Sequence, residues 1–278
     1  MIHKRINFIE GVRKAWDKEH YMFDKTKDLP NDIIFLCKDL SGHKVTNNLT
    51  YYYGYEFNKK CKDPEIKEFR NALKHYIGNK SIFYSKDAED FVYDGIFKMD
   101  ALKSIDDFSV FVTTASSYNE KTLTGLMSQI CYEHISDNTD VLNMRLIKKM
   151  CEDVTFDEDK ARKALKATKR YRDDDVGIEE AIENIKDIFE EQKSKGKLFK
   201  MKLYRPVAGR YGFTDFLRFA NETEQRIYEK LKEGTEVLIC EDFITTGSTI
   251  NYIIEFLNSF NPNTKISVFV LINQLREY

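Results

Sequence analysis

The feature that most constrains the fold is a stretch near the end of the sequence in which strand-like, turn-like and helix-like patterns follow one another. Residues 236–240 read EVLIC, an apolar strand that stops at the acidic pair Glu241 and Asp242. The apolar residues of the next segment recur at the spacing of one helix face: Ile250, Ile253, Ile254 and Leu257. This helix ends before Pro262, and KISVFVLI at 265–272 is a second apolar strand. The order strand, helix, strand predicts a βαβ unit in a parallel sheet.

The residues between the first strand and the helix predict a ligand site. In a parallel sheet, ligands gather at the carboxyl ends of the strands, where Glu241 and Asp242 can accept hydrogen bonds from a diol. The turn that follows is rich in hydroxyl groups and opens the helix: Thr245, Thr246, Gly247, Ser248 and Thr249. The backbone N–H groups and the dipole of a helix N-terminus favour a phosphate. A diol beside a monophosphate is a ribose 5-phosphate.

Other phosphate motifs and a purely structural role fit this stretch less well. The sequence contains neither the GxxxxGK run of a P-loop nor the GxGxxG run of a dinucleotide fold. The alternative is a helix cap, in which the hydroxyl side chains only satisfy backbone donors. One hydroxyl would suffice for a cap, so four of them after two acids favour a binding site.

Residues Val237 to Thr249 resemble the signature of the type I phosphoribosyltransferases, which is an apolar strand, two acids, two apolar residues and then Thr-Thr-Gly-Ser-Thr. The resemblance implies that Glu241 and Asp242, as catalytic residues, hold the ribose hydroxyls of phosphoribosyl pyrophosphate. It also implies that the turn from Thr245 to Thr249 holds the 5-phosphate. Mg²⁺ is the implied cofactor, held mainly by substrate oxygens and water. The implied fold is a Rossmann-like parallel sheet flanked by helices.

A second element of that family is a small loop that receives the pyrophosphate at the end of an earlier strand. DFSVFVTT at 107–114 is an apolar strand, and a helix is predicted over 120–134 with Leu123, Leu126, Met127 and Ile130 on one side. The predicted pyrophosphate loop lies between them and follows Thr113: Thr114, Ala115, Ser116 and Ser117. Small polar residues end many strands, so a plain strand end is the alternative.

The segment between these two units predicts a further strand at 141–147 and then a helical insertion at about 155–200. Thr155 and Glu158 form a capping-box pattern, and the helix that it opens carries a basic run. This run is a solvated face or, alternatively, a phosphate-binding surface: Lys160, Arg162, Lys163, Lys166, Lys169, Arg170 and Arg172. A second amphipathic helix follows at 178–189, and strands are predicted at 199–204 and 212–219. Mobile residues within 155–210, including Arg205 and Arg210, are expected to close over the pyrophosphate.

The first part of the chain predicts an α+β extension, residues 1–104, packed on a core of residues 105–278. Strands at 33–37 and 49–56 are predicted to form a hairpin, and a helix is predicted from Pro64 to Gly78. Further short strands are predicted at 81–85 and 91–97. Tyr51, Tyr52, Tyr53 and Tyr55 favour aromatic packing in a half-buried sheet over base stacking.

Composition excludes several classes of function. The formal net charge of −2 gives no signal for nucleic acid, and the sequence has neither a signal peptide nor a run long enough to span a membrane. We therefore expect a cytoplasmic protein. The five cysteines contain no CxxC pair and are expected to be buried reduced thiols, and the scattered histidines predict no protein-ligated metal.

Two functions follow from the resemblance. The first is an enzyme that transfers ribose 5-phosphate from phosphoribosyl pyrophosphate to a nitrogenous base or related acceptor, with release of pyrophosphate. The alternative is a non-catalytic protein of the same fold that senses phosphoribosyl pyrophosphate or a nucleoside monophosphate, or serves a partner protein. The general layout is similar to the ComF-like branch, although this sequence lacks that branch's zinc cysteines. The oligomeric state is left open, with a homodimer as one option.

Overall fold

The structure, a computed structural model, describes residues 36–38, 44–46, 50–56, 64, 91–97, 104–114, 123–134, 141–244 and 248–273. The strands and helices, numbered in chain order, are β1 (Leu36–Lys38), β2 (Lys44–Thr46), β3 (Thr50–Glu56), α1 (91–97), β4 (Val110–Thr114), α2 (Leu123–His134), β5 (Leu142–Lys148), β6 (Thr155–Phe156), α3 (Glu158–Lys166), α4 (Asp175–Ser194), β7 (Phe213–Thr214), β8 (Leu217–Phe219), α5 (Glu222–Glu229), β9 (Glu236–Ile244), α6 (Ser248–Phe260) and β10 (Lys265–Asn273). Among these described helices, none combines the length and apolar character that crossing a membrane requires.

Six strands form one sheet in the order β3-β10-β9-β4-β5-β8. All neighbouring pairs are parallel except β5 and β8, which are antiparallel at the edge. The central strands are buried on both faces, as in parallel sheets covered by helices, and this explains their continuous apolar runs. The predicted α/β fold with a mostly parallel sheet flanked by helices is therefore confirmed.

The predicted βαβ unit at the end of the chain is present as β9, α6 and β10. The apolar face of α6 is buried as its spacing predicts: Ile250, Ile253, Ile254 and Leu257. The helix ends at Phe260, before Pro262. β10 then lies parallel to β9, with Ile266 opposite Val237 and Ile272 opposite Phe243. Local periodicity is sufficient to predict this unit because most of its apolar positions are the ones that the fold buries.

The earlier unit, β4, α2 and β5, is also confirmed. Leu123, Met127 and Ile130 of α2 are buried and pack on the same face of the sheet as Phe111. The helix α6 packs on the opposite face, in the cluster that contains Val112. The two units therefore send their helices to opposite sides of one sheet.

The chain between β5 and β8, residues 149–216, is here called the β5–β8 connection. It contains α3 and α4, and a group of aromatic side chains anchors it to the sheet: Phe189, Phe199, Tyr204 and Phe213, all in the cluster that includes Val110 and Ile239. The ring centroid of Phe213 lies 4.3 Å from that of Tyr204 and 4.8 Å from that of Phe199. The predicted basic run is mainly exposed, with Arg162 paired to Glu179.

Three local predictions in this connection are wrong. The capping box is absent, because Thr155 belongs to β6 and Asp157 caps α3 through a 3.0 Å bond from the Lys160 N–H. Residues 199–204 do not form a strand: Met201–Leu203 are a 3₁₀ turn, and an isolated bridge joins Met150 to Leu198. Residues 212–219 form two short strands because Asp215, with φ of 59°, breaks the extended backbone between β7 and β8.

The N-terminal hairpin prediction also needs correction. β1 pairs antiparallel with β2, not with 49–56, so the hairpin closes over a shorter turn. β3 instead lies parallel to β10 at the edge of the main sheet, with Tyr52 opposite Phe269. This strand precedes residue 105 in the chain and still extends the core sheet. Tyr52, Tyr53 and Tyr55 are buried, which confirms packing as their role.

Residues 91–97 form the helix α1 and not the predicted strand. Phe91, Val92 and Ile96 are buried, and the ring of Tyr55 stacks on Phe91 with centroids 4.0 Å apart. The helix approaches β3 so closely that a Cβ on Gly54 would lie 2.9 Å from the Cα of Gly95. Tertiary contacts thus override the β propensity of an aromatic run. Pro64 is helical, while the rest of the predicted helix at 64–78 and the strand at 81–85 lie outside the described residues.

Candidate functional site

The sheet has a topological switch point between β4 and β9. From β4 the chain crosses through α2 to β5 on one side, and from β9 it crosses through α6 to β10 on the other side. Because the two helices cover opposite faces, they diverge beyond the carboxyl ends of β4 and β9. Open α/β sheets bind their ligands in such a crevice.

Glu241 and Asp242 lie at this crevice, but inside β9 and not after it. The sequence predicted that the strand stops at Cys240, whereas β9 continues to Ile244. The reason is that β10 pairs with β9 as far as Asn273, while the pairing of β4 with β9 ends at Thr113 opposite Cys240. Glu241 is therefore level with Thr114, the last residue of β4, and Asp242 lies one residue past it; both acids are partly exposed.

The predicted phosphate turn connects this strand extension to α6. Thr245, Thr246 and Gly247 lie outside the described residues, while Ser248 begins α6 and Thr249 is exposed in its first turn. Only those three residues separate the end of β9 from the first residue of the helix. The unsatisfied N–H groups of the α6 N-terminus therefore lie one short turn from the acidic pair.

The predicted pyrophosphate loop begins where β4 ends. Thr114 is the last residue of β4, and Ala115, Ser116 and Ser117 lie outside the described residues. Thr113 is buried, and its hydroxyl donates to the Met144 carbonyl at 3.3 Å. The hydroxyl of Thr113 thus bonds within the sheet, and its register opposite Cys240 places the start of the loop beside Glu241.

Two lysines that the sequence analysis did not single out lie at the same edge of the sheet. The pairing of β4 with β5 ends at Thr114 opposite Leu146, so Lys148 lies two residues beyond the end of β4. Lys149 follows and pairs with Asp215 at 2.8 Å. A double lysine directly after an apolar strand, next to the predicted loop strand, was the signal available in the sequence. Lys148 adds a positive charge at this edge of the sheet, while the charge of Lys149 is already paired with Asp215.

Cys240, the residue before the acidic pair, belongs to a pair of buried thiols. Cys240 of β9 and Cys131 of α2 are both fully buried and free. Hydrogen bonding to Cys131, followed by burial, raises the pKa of Cys240 well above its ordinary value. The thiol beside Glu241 therefore stays neutral at physiological pH. Cys151 is also a buried free thiol, so the prediction of reduced cysteines is confirmed for these three.

The donors at the site suit a cation that is shared with a substrate. Within the described part of the chain, His, Cys, Asp and Glu side chains form no group of three or more able to hold a metal ion. Mg²⁺ commonly keeps several waters and binds through one or two carboxylates and substrate phosphates. The partly exposed carboxylates of Glu241 and Asp242 fit that mode of binding.

The fold and the crevice together define an α/β protein with a candidate ligand site at the switch point of a mostly parallel sheet. Residues 214–278 match the family model described as phosphoribosyl transferase domain. This segment contains β8, α5 and the whole β9–α6–β10 unit. The resemblance to the type I phosphoribosyltransferases is thus confirmed for that segment, and the match does not test the ComF-like branch. The comparison with curated proteins found no match to the chain.

Proposed function

We propose that the protein is a Mg²⁺-dependent phosphoribosyltransferase that moves ribose 5-phosphate from phosphoribosyl pyrophosphate to a nitrogen of a base or related acceptor. The domain match at residues 214–278 supports phosphoribosyl transfer as the general chemistry. The observation that carries the finer proposal is the register of β9. It sets Glu241 level with Thr114, the last residue of β4, and Asp242 one residue past it, shortly before the predicted phosphate turn in the chain.

This arrangement assigns a role to each part of the crevice. The two carboxylates accept hydrogen bonds from the ribose diol and stabilise the positive charge that develops on the ribose ring. The turn at the start of α6 holds the 5-phosphate, and the end of β4 receives the pyrophosphate with Lys148 nearby. The acceptor nitrogen then forms a bond to the anomeric carbon while the bond to the pyrophosphate oxygen breaks. Positioning of the two reactants supplies much of the rate enhancement.

Mg²⁺, when bound, neutralises charge on the leaving pyrophosphate. Glu241 and Asp242 are the residues of this chain that can contribute a ligand to it, directly or through water. The described residues form no group of three or more His, Cys, Asp or Glu side chains that could hold a metal, so substrate oxygens and water would supply the remaining ligands. The protein's own contribution is to fix the ribose and the two phosphate groups in one orientation.

One observation favours a second candidate function. The family match covers the ribose-phosphate motif but leaves β4 and the predicted pyrophosphate loop outside it. A protein that keeps the first part of the site without the second would bind phosphoribosyl pyrophosphate or a nucleoside monophosphate without turnover. In that case the protein would be a sensor.

The deciding experiment incubates the purified protein with phosphoribosyl pyrophosphate, Mg²⁺ and a panel of bases, and measures pyrophosphate release. The matched control is the Glu241→Gln, Asp242→Asn double variant, which keeps the side-chain shapes and removes both charges. Base-dependent release by the native protein and none by the variant is the expected result. Binding of phosphoribosyl pyrophosphate without release would support the sensor, and absence of binding would refute both functions.

A further inference from the structure

A pocket between α1 and α2 lies outside the candidate site described above. Its volume is about 190 Å³, and it is lined by side chains of α1, of the turn before β4 and of α2: Tyr93, Ile96, Phe97, Ile105, Ile130 and Glu133. An apolar cavity of about 150 Å³ can hold a benzene ring. The pocket is therefore large enough for one aromatic ring with a short side group.

The pocket lies at the end of α2 that is remote from the crevice. In the β4–α2–β5 unit the helix runs back from the carboxyl end of β4 to the amino end of β5, and Ile130 and Glu133 are among its last five residues. Val141, directly before β5, belongs to the same buried cluster as Ile105 and Ile130. A twelve-residue helix is about 18 Å long, so a small ligand in this pocket would not contact the acidic pair.

The pocket combines an apolar floor with a polar and aromatic rim. Ile96, Ile105 and Ile130 are buried and form the floor. Tyr93 is half-buried, and Phe97, four residues later on the same face of α1, is 54% exposed. Since the exposed side chains lie at the mouth, the pocket opens to solvent beside two aromatic rings.

Glu133 adds a negative charge at this mouth. Its Oε1 accepts a hydrogen bond from Nε2 of Gln129 at 2.7 Å, one turn earlier in α2. The amide is neutral, so this bond orients the carboxylate without compensating its charge. Among the described residues, no cation forms an ion pair with Glu133. A carboxylate next to aromatic rings attracts an organic cation, because the faces of the rings also carry negative potential.

We propose that this pocket binds a small primary amine whose amino group is attached to one apolar ring. The ring of the amine packs on the three isoleucines of the floor. The amino group, which is protonated at neutral pH as a lysine side chain is, donates to the Glu133 carboxylate beside Tyr93 and Phe97. The inference does not depend on the proposed function, because the pocket and the crevice share no residue.

Ligand-observed NMR titration of the full chain with benzylamine tests the proposal. Benzyl alcohol, which has nearly the same shape and no charge, is the matched probe. The native protein should bind benzylamine severalfold to about tenfold more tightly than benzyl alcohol, as expected for an ammonium held by an exposed carboxylate and aromatic rings. Equal affinity for the two probes would overturn the proposal, and so would a lack of saturable benzylamine binding at millimolar concentration.

Two variants locate the binding. Glu133→Gln should weaken benzylamine severalfold and leave benzyl alcohol unchanged, whereas Phe97→Ala should weaken both probes. Both side chains are exposed, so we expect both variants to fold, as checked by circular dichroism. The matched control is Glu180→Gln, an exposed acid of α4 on the other side of the sheet, which should bind both probes like the native protein.

Native benzylamine affinity in Glu133→Gln would refute the role of the carboxylate and therefore the proposal, even if Phe97→Ala does not fold. A competition experiment separates this pocket from the crevice. Excess ribose 5-phosphate should not displace benzylamine, and displacement would place the amine in the crevice and overturn the assignment. The proposed function is tested independently by pyrophosphate release, so either proposal can fail without the other.

Discussion

The helix of the β9–α6–β10 unit and the β5–β8 connection pack on the same face of the sheet, but the two regions are built in different ways. In the unit, two nine-residue strands and one thirteen-residue helix follow each other with one short turn and one short loop. In the connection, β6 and β7 have two residues each, and 3₁₀ turns lie among α3 and α4. The unit carries the acidic pair of the candidate site, and the connection carries most of the aromatic side chains that pack it on the sheet.

This difference shows where structural information lies in the sequence. In the β9–α6–β10 unit, regular periodicity places each apolar residue on a buried face, so neighbouring residues determine the element. In the connection, the backbone follows aromatic side chains that meet from distant positions, such as Phe189 and Phe213 at 5.2 Å. We therefore expect the β9–α6–β10 unit to tolerate polar substitutions at its exposed end. The stability of the β5–β8 connection should instead depend on individual buried aromatic rings.

The largest effect is expected for the acidic pair. Replacing Glu241 by Gln and Asp242 by Asn removes charge-assisted bonds to the diol worth roughly 1.5–3 kcal/mol each, or about tenfold to hundredfold in affinity per bond. Ribose 5-phosphate should bind correspondingly more weakly, as measured by calorimetry. Inorganic phosphate, which has no diol, should bind as well as before or better, because nearby negative charge has been removed.

A matched control lies at the other end of the same strand. Glu236 begins β9 and contacts Lys265 at 3.6 Å, far from the crevice, so Glu236→Gln should leave both affinities unchanged. Equal weakening of ribose 5-phosphate and phosphate by the double variant would mean that the acids only maintain the shape of the turn. In that case the β9–α6–β10 unit would not supply ligand-binding carboxylates.

The next largest effect is expected in the connection. Phe213 is fully buried among four aromatic rings, so Phe213→Ala should destabilise the protein by about 3–5 kcal/mol through lost contacts and a cavity. Because its cluster includes strands of the sheet, we expect urea denaturation to remain a single transition at a lower midpoint. Two separate transitions would show that the connection is an independent unit.

The smallest effect distinguishes the structure from the sequence pattern at the start of α3. Asp157→Ala removes the side chain that accepts the Lys160 N–H, and should cost about 1 kcal/mol in the free energy of unfolding. Thr155→Ala should cost less, since Thr155 is exposed in β6. Denaturation of both variants checks this order. A larger loss of unfolding free energy for Thr155→Ala than for Asp157→Ala would support the capping box that the sequence predicts.

The sequence was sufficient for the site's framework because its signals are local. Periodicity located α2 and α6, and residue type located the acids and the turn between β9 and α6. The sequence did not indicate that β9 continues through Glu241 and Asp242, because that extension depends on hydrogen bonds from β10. It also did not place Lys148 at the crevice, since only the sheet register brings β5 beside the end of β4.

The remaining errors share a cause in long-range contacts. Residues 91–97 have the composition of a strand, yet they are helical where Gly95 meets Gly54 and Phe91 stacks on Tyr55. Apolar and polar residues alternate over most of 199–204 as they do in a strand, yet the side chains of Phe199 and Tyr204 both pack in one aromatic cluster. Gly54 and Tyr55 are far from residues 91–97 in the sequence, and Val110 and Ile239 of the aromatic cluster are far from residues 199–204, so no local pattern could reveal these contacts.

The parallel pairing of β3 with β10 has a consequence for how the chain folds. Thr50 of β3 meets Ser267 of β10, so the two strands come from widely separated parts of the sequence. During synthesis β3 emerges long before its partner, with Tyr52, Tyr53 and Tyr55 not yet covered by β10. Pairings at such separation form slowly, and unpaired apolar strands promote aggregation. Refolding yield should therefore fall steeply as protein concentration rises, because β3 of one molecule can meet a partner strand from another before its own β10 arrives.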